Sequence, residues 1–105
     1  MRALIGLPLA AFSIAALAAP VRTATDEQNN RCANEDYSLH LSPTDVIEAC
    51  TQIIKLKPTS ALEYALAYSN RAVAEDSLGQ DDKANADLRE AHRIDPKDFG
   101  DNPLK

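Results

Sequence analysis

Four side chains in this sequence are thiols or imidazoles, the residue types of zinc sites and redox pairs: Cys32, His40, Cys50 and His92. Two thiols and two imidazoles are zinc-type donors, but zinc sites place them at short, recurring spacings. No such spacing occurs here, and no C-x-x-C redox pair either. The two thiols are therefore expected to pair with each other. A Cys32–Cys50 disulfide is the default for a chain that meets an oxidising compartment, and free or intermolecular thiols are the alternative. Chain entropy gives such a loop roughly 3 kcal/mol, a large share of a small domain's stability. Asp81, Asp82 and Asp87 lack the D-x-D-x-D-G pattern of a calcium loop and are expected as helix-start and solvated charges. No HExxH or H-x-x-E-H, serine elbow, P-loop or haem motif is present. No enzyme and no cofactor is therefore expected. His92 is expected on the solvent side of its helix.

The start of the chain bears on the thiols. "MRALIGLPLAAFSIAALAAP" places Arg2 before an apolar and small-residue run from Ala3 to Ala19, and Ala16-Leu17-Ala18 forms a small-x-small cleavage pattern. Residues 1–18 are expected to be a secretory signal peptide, cut after Ala18. The alternative is a retained anchor, for which the run is short and interrupted by Gly6 and Pro8. Setting Arg2 aside, ten basic side chains face sixteen acidic ones, a net charge of −6. That sign disfavours nucleic acid and anionic membrane surfaces as partners.

The remaining chain must supply the elements. Residues 19–30 are polar and aperiodic and read as a flexible lead-in. Residues 31–41 form either a short helix or an ordered strap held by Cys32. Ser42, Pro43 and Asp45 make a helix start: an N-cap, a first-turn proline and an S-x-x-D box. Val46, Ile47, Cys50, Ile53 and Ile54 follow on one face, and Pro58 ends the run. Thr59 or Ser60 caps the next helix, which reaches Leu78. In it, Leu62, Ala65, Leu66, Ala72 and Val73 are expected to form an apolar stripe. Gly79 supplies the left-handed residue past its end. A third helix runs from Asp81 to Ile94, with acids first and arginines last as the helix dipole favours. Pro96 closes it, and residues 97–105 read as a frayed tail. No alternating strand pattern occurs, so the fold class is all-α. The short turn at Gly79 forces the two flanking helices antiparallel, and Ala72, Ala84 and Ala91 let their axes approach closely.

The order Ala72, Gly79, Ala84, Leu88, Ala91, Pro96, with Tyr68 before it and "NRA", "LGQ" and "IDP" as wording, resembles the tetratricopeptide repeat, a helix–turn–helix unit of about 34 residues. Ser42–Pro58 resembles the second helix of a preceding unit, with Val46, Cys50 and Ile53 on its packing positions. The resemblance covers residues 42–96 and implies antiparallel helix pairs of an α-solenoid, about one and a half repeats. Pro58 and Pro96 are spaced about one helical turn wider than the repeat, which implies a middle helix extended at its start. Glu75 stands where the family has an aromatic or small residue, implying a partly open edge. The first repeat has no recognisable first helix, and the Cys32 strap is expected to replace it.

Members of that family are binding scaffolds whose first helices line a concave groove. The resemblance therefore implies a non-enzymatic interaction module with a protein or peptide partner. The groove candidates are Leu66, Ser69, Asn70, Val73 and Ser77. Asn70 matches a position where some members grip a terminal carboxylate, but the groove face carries none of their lysines or arginines. A plain packing or surface role is the alternative for Asn70. The expected setting is secreted or periplasmic, in a bacterium, without membrane insertion once the leader is cut. Because so few repeats bury little surface, a homodimer that completes the array is the alternative function.

Overall fold

The computed structural model describes residues 19–100; the expected signal segment, residues 1–18, and residues 101–105 lie outside the described residues. Four helices follow one another: α1 (Asp26–Ala33), α2 (Pro43–Leu56), α3 (Ala61–Ser77) and α4 (Asp81–Ile94), with a 3-10 turn at Tyr37–Leu39 between α1 and α2. There is no strand among the described residues. Each helix packs on the next, and α1 also reaches α3. None of the described helices is long and apolar enough to cross a membrane.

Local chemistry sets the helix ends. In α2, Ser42 Oγ accepts from the Asp45 N–H at 3.2 Å and Asp45 Oδ2 accepts from the Ser42 N–H at 3.1 Å, so two otherwise unpaired donors are satisfied. Ser60 caps α3 through the Glu63 N–H at 3.2 Å. Gly79 adopts φ +76°, and the next amide, Gln80, donates back to the Glu75 carbonyl at 2.9 Å. This closes α3 and turns the chain directly into α4.

The lead-in carries a helix in place of the expected aperiodic segment. Thr25 and Gln28 form a reciprocal capping box that starts α1, with Thr25 Oγ1 accepting at 3.1 Å and Gln28 Oε1 accepting at 2.9 Å. Asn34, left-handed at φ 54°, ends it. A second strap, residues 22–24 ahead of α1, is held from afar. The Arg22 N–H donates to Thr59 Oγ1 at 2.7 Å, and the Thr59 N–H returns to the Arg22 carbonyl at 2.8 Å. These polar residues are ordered because their partners lie more than thirty positions away, beyond the reach of a periodicity argument.

The core is built of small residues. Cys32, Val46, Ala49, Cys50, Ile53, Ala67 and Ala74 form one buried cluster joining α1, α2 and α3. Ala65 and Ala72 of α3 and Ala84 and Ala91 of α4 are buried as well, as close antiparallel packing requires. The stripe expected on α3 divides. Its alanines are buried, whereas Leu62, Leu66 and Val73 are exposed. With α1 and α2 on one side and α4 on the other, α3 approaches its neighbours through alanine, and the larger side chains turn outward. The tail is folded back in its first residues: the Phe99 N–H donates to the Asp95 carbonyl at 3.0 Å. His92 is correspondingly half-buried rather than solvated, its Nδ1 lying 2.9 Å from the Phe99 carbonyl oxygen.

Candidate functional site

The feature that these helices create is a groove between α1 and α3. One hollow of about 310 Å³ lies over the first half of α3, lined by Asn29, Ala33, Leu62, Glu63, Leu66 and Asn70 among others. A second of about 330 Å³ lies over its second half, lined by Asn34, Tyr37, Leu41, Val46, Asn70, Val73 and Ser77 among others. Cys32, Ala33 and Asn70 border both, so the two hollows are neighbours along α3. From Ser60 to Ser77 the groove follows α3 for about 25 Å at 1.5 Å per residue.

Of the five residues anticipated for this surface, four line it: Leu66 and Asn70 in the first half, Asn70, Val73 and Ser77 in the second. Val73 is 68% exposed and Leu66 42%. Ser69 is half-buried and lines neither hollow. The Ser77 hydroxyl is already spent on the Ala74 carbonyl at 2.7 Å. The opposite wall comes from α1 and the Tyr37 turn, which the sequence left as lead-in and strap. Thr25-x-x-Gln28 is the signal that would have revealed it.

Two staples hold that wall. At its far end Cys32 and Cys50 form a disulfide with their Cα atoms 4.8 Å apart. At its near end Glu63 reaches across from α3, and its Oε2 accepts from Thr23 Oγ1 at 2.9 Å, the Ala24 N–H at 3.2 Å and Asn29 Nδ2 at 3.4 Å. Glu63 Oε1 is buried without a hydrogen-bond partner. With both thiols in the disulfide, neither is a metal ligand. His40 is exposed on the turn, remote in role from His92 and the tail.

Away from the groove, α3 carries a buried ionic cluster. Arg71 forms a two-pronged pair with Asp87 of α4, Nε to Oδ2 at 2.7 Å and Nη2 to Oδ1 at 2.8 Å. Its Nη1 donates to Thr51 Oγ1 of α2 at 3.2 Å, so one guanidinium ties three helices. The Tyr68 ring lies against it, 5.4 Å from centroid to guanidinium carbon. Asp87 is therefore a buried ion-pair partner and not a solvated charge. Glu75 is also buried, 5% exposed, so the edge expected to be open there is closed. Burial, then the hydrogen bond and charge of Asp87, push the Glu75 carboxyl up to about 7. Arg71, 3.9 Å away, offsets only part of this. The Asp87 hydrogen bond in turn holds the Arg71 guanidinium above its ordinary value. Arg71, Asp87, Glu75, Tyr68 and Thr51 line none of the hollows described above; the cluster joins three helices.

Over 71 residues, 68% of this chain, the sequence is 41% identical to a yeast (Saccharomyces cerevisiae) protein, Small glutamine-rich tetratricopeptide repeat-containing protein 2. The chain spans about 18% of that relative's length. No family model matches the chain, and no solved structure matches it significantly. The partial likeness to a repeat-containing protein and the packed helix pairs point the same way, towards a tetratricopeptide-like helical fold.

Proposed function

We propose that this chain is a small, non-enzymatic tetratricopeptide-like interaction module that receives a segment of a partner protein in the α1–α3 groove. The observation that carries this is the pair of adjoining hollows along α3, with Leu66, Asn70 and Val73 presented on them. Exposed apolar side chains gathered in a concavity, beside amides able to pair with a backbone, suit peptide recognition. The likeness to a repeat-containing protein supports the same class.

The proposed setting is outside the cytoplasm, in a bacterial periplasm or secreted. Arg2, the apolar run and Ala16-Leu17-Ala18 support export, and a buried disulfide suits an oxidising compartment. N-terminal sequencing of the protein recovered from its host tests this; a start at Ala19 is expected, and an intact Met1 or Arg2 overturns it.

A self-associating module is the second reading. The outer flank of the α3–α4 pair carries a shallow hollow of about 230 Å³ lined by Ala72, Val73, Ala84 and Leu88, where a further helix would stack in a longer array. Val73 borders both surfaces, so affinity copurification with Leu66→Asp and, separately, Leu88→Asp distinguishes the two. Loss of a distinct partner with Leu66→Asp alone, at unchanged helix content, supports the groove. Loss of a self-complex with Leu88→Asp moves the function to the flank.

A further inference from the structure

The charge on the groove narrows what it accepts. Among the described residues that line it, Glu63 is the one acidic side chain, and no lysine, arginine or histidine lines either half. A carboxylate brought into such a groove loses water and meets no cation. The chain from Ala19 onward adds a net charge of −6, which disfavours anionic ligands within a Debye length of the surface. Glu63 itself is only half satisfied. Three donors from the strap and α1 fill Oε2, while Oε1 is buried with no partner.

Shape narrows it further. α1 and α3 are in contact, and hollows of about 310 and 330 Å³ spread along α3 are too small to seat a helix about 10 Å across. A trough of about 25 Å holds roughly seven residues of extended chain at about 3.3 Å each. Asn34 and Asn70 face it with amides that both donate and accept, as an extended backbone requires.

We infer that the groove takes an extended, apolar internal segment of a partner protein that carries a lysine or arginine at the Glu63 end, and that it rejects acidic segments and free carboxyl tails. This rests on the groove being a peptide site. The cation pairs with Glu63, apolar side chains lie against Leu66 and Val73, and the amides hold the backbone between them.

The test is display of random nine-residue peptides against the full-length, oxidised protein in two formats, with the peptide internal to a carrier and with its carboxyl end free. The internal format is expected to enrich apolar sequences with lysine or arginine near one end. For the enriched peptide, replacing its cation by norleucine is expected to weaken binding about tenfold, a change made in the ligand and therefore independent of folding. Glu63→Gln, whose side-chain oxygen still accepts from Thr23 and Ala24, is expected to weaken binding similarly. Enrichment of acidic sequences, enrichment only with free carboxyl ends, or indifference to the norleucine exchange overturns the inference while leaving the groove a peptide site. No enrichment in either format, or binding untouched by Val73→Asp, overturns the peptide-site reading itself.

Discussion

Helix α3 has two very different sides. Towards α4 it is sealed by buried alanines and by Arg71, whose guanidinium makes bonds to Asp87 of α4 and Thr51 of α2 at 2.7–3.2 Å. Towards α1 it is open, with Leu66 and Val73 in water and the facing wall held by a disulfide and a single carboxylate. An eight-residue helix such as α1 is too short to persist on its own. The contrast teaches how so small a chain supports a binding surface. One side of the helix is spent on rigidity, and the other is kept open by cross-links that bury little.

Removing the centre of the sealed side should have the largest effect. Asp87→Ala leaves the half-buried Arg71 without its two-pronged partner, and breaking a buried pair in this way costs about 3 kcal/mol or more. Urea denaturation should show the unfolding free energy fall by that amount, with the midpoint lowered in proportion. A loss below about 1 kcal/mol would make the two sides of α3 equivalent after all.

Opening the other side should cost slightly less and act elsewhere. The double variant Cys32→Ala/Cys50→Ala is expected to lose about 3 kcal/mol of stability by the loop-entropy argument. Hydrogen exchange should show where. Protection is expected to vanish in α1 and the Tyr37 turn and to survive in α3 and α4. Uniform loss across all four helices would mean that the groove wall and the base are one cooperative unit.

The smallest effect sharpens the sealed side through pH. The Glu75 carboxyl is raised from 4.5 to about 7, so between these values the folded state binds more protons than the unfolded state. Its neutral form stabilises the fold fully below pH 4.5, and that contribution is lost as pH rises through about 7. The groups facing Glu75 are Asp87 and Lys83 of α4 and Arg71 of its own helix. Wild type should lose about 1–3 kcal/mol across this window. Glu75→Gln should hold its stability through it and exceed wild type at pH 8. Parallel pH profiles for the two proteins would remove Glu75 from the account.

Much of the architecture was legible from residue order. Ser42-Pro43-x-Asp45, Ser60, Gly79 and the run Asp81–Ile94 mark helix ends through bonds made within a few residues, and the structure places α2, α3 and α4 where those signals lie. That Leu66, Asn70, Val73 and Ser77 share one face of α3, and so line the two hollows, was legible from their helical spacing. Helix α1 was not, although its capping box is local, because its polar composition hides the single apolar anchor, Cys32. Glu75 and Asp87 were misread as an open edge and a solvated charge because charge alone predicts exposure, and only a partner reverses that.

The sequence by itself determined the all-α class, the turn at Gly79 and the close α3–α4 approach through alanine, since each follows from local backbone preference or side-chain size. Tertiary structure alone decided the groove's second wall, the burial of Glu75 and the bridging role of Arg71. Those depend on pairs such as Arg22 with Thr59 and Thr23 with Glu63, separated by 37 and 40 residues, and on Arg71 with Asp87 across the helix pair. Local order sets which segments become helices. Which polar side chains meet across those helices is settled only when the chain closes on itself.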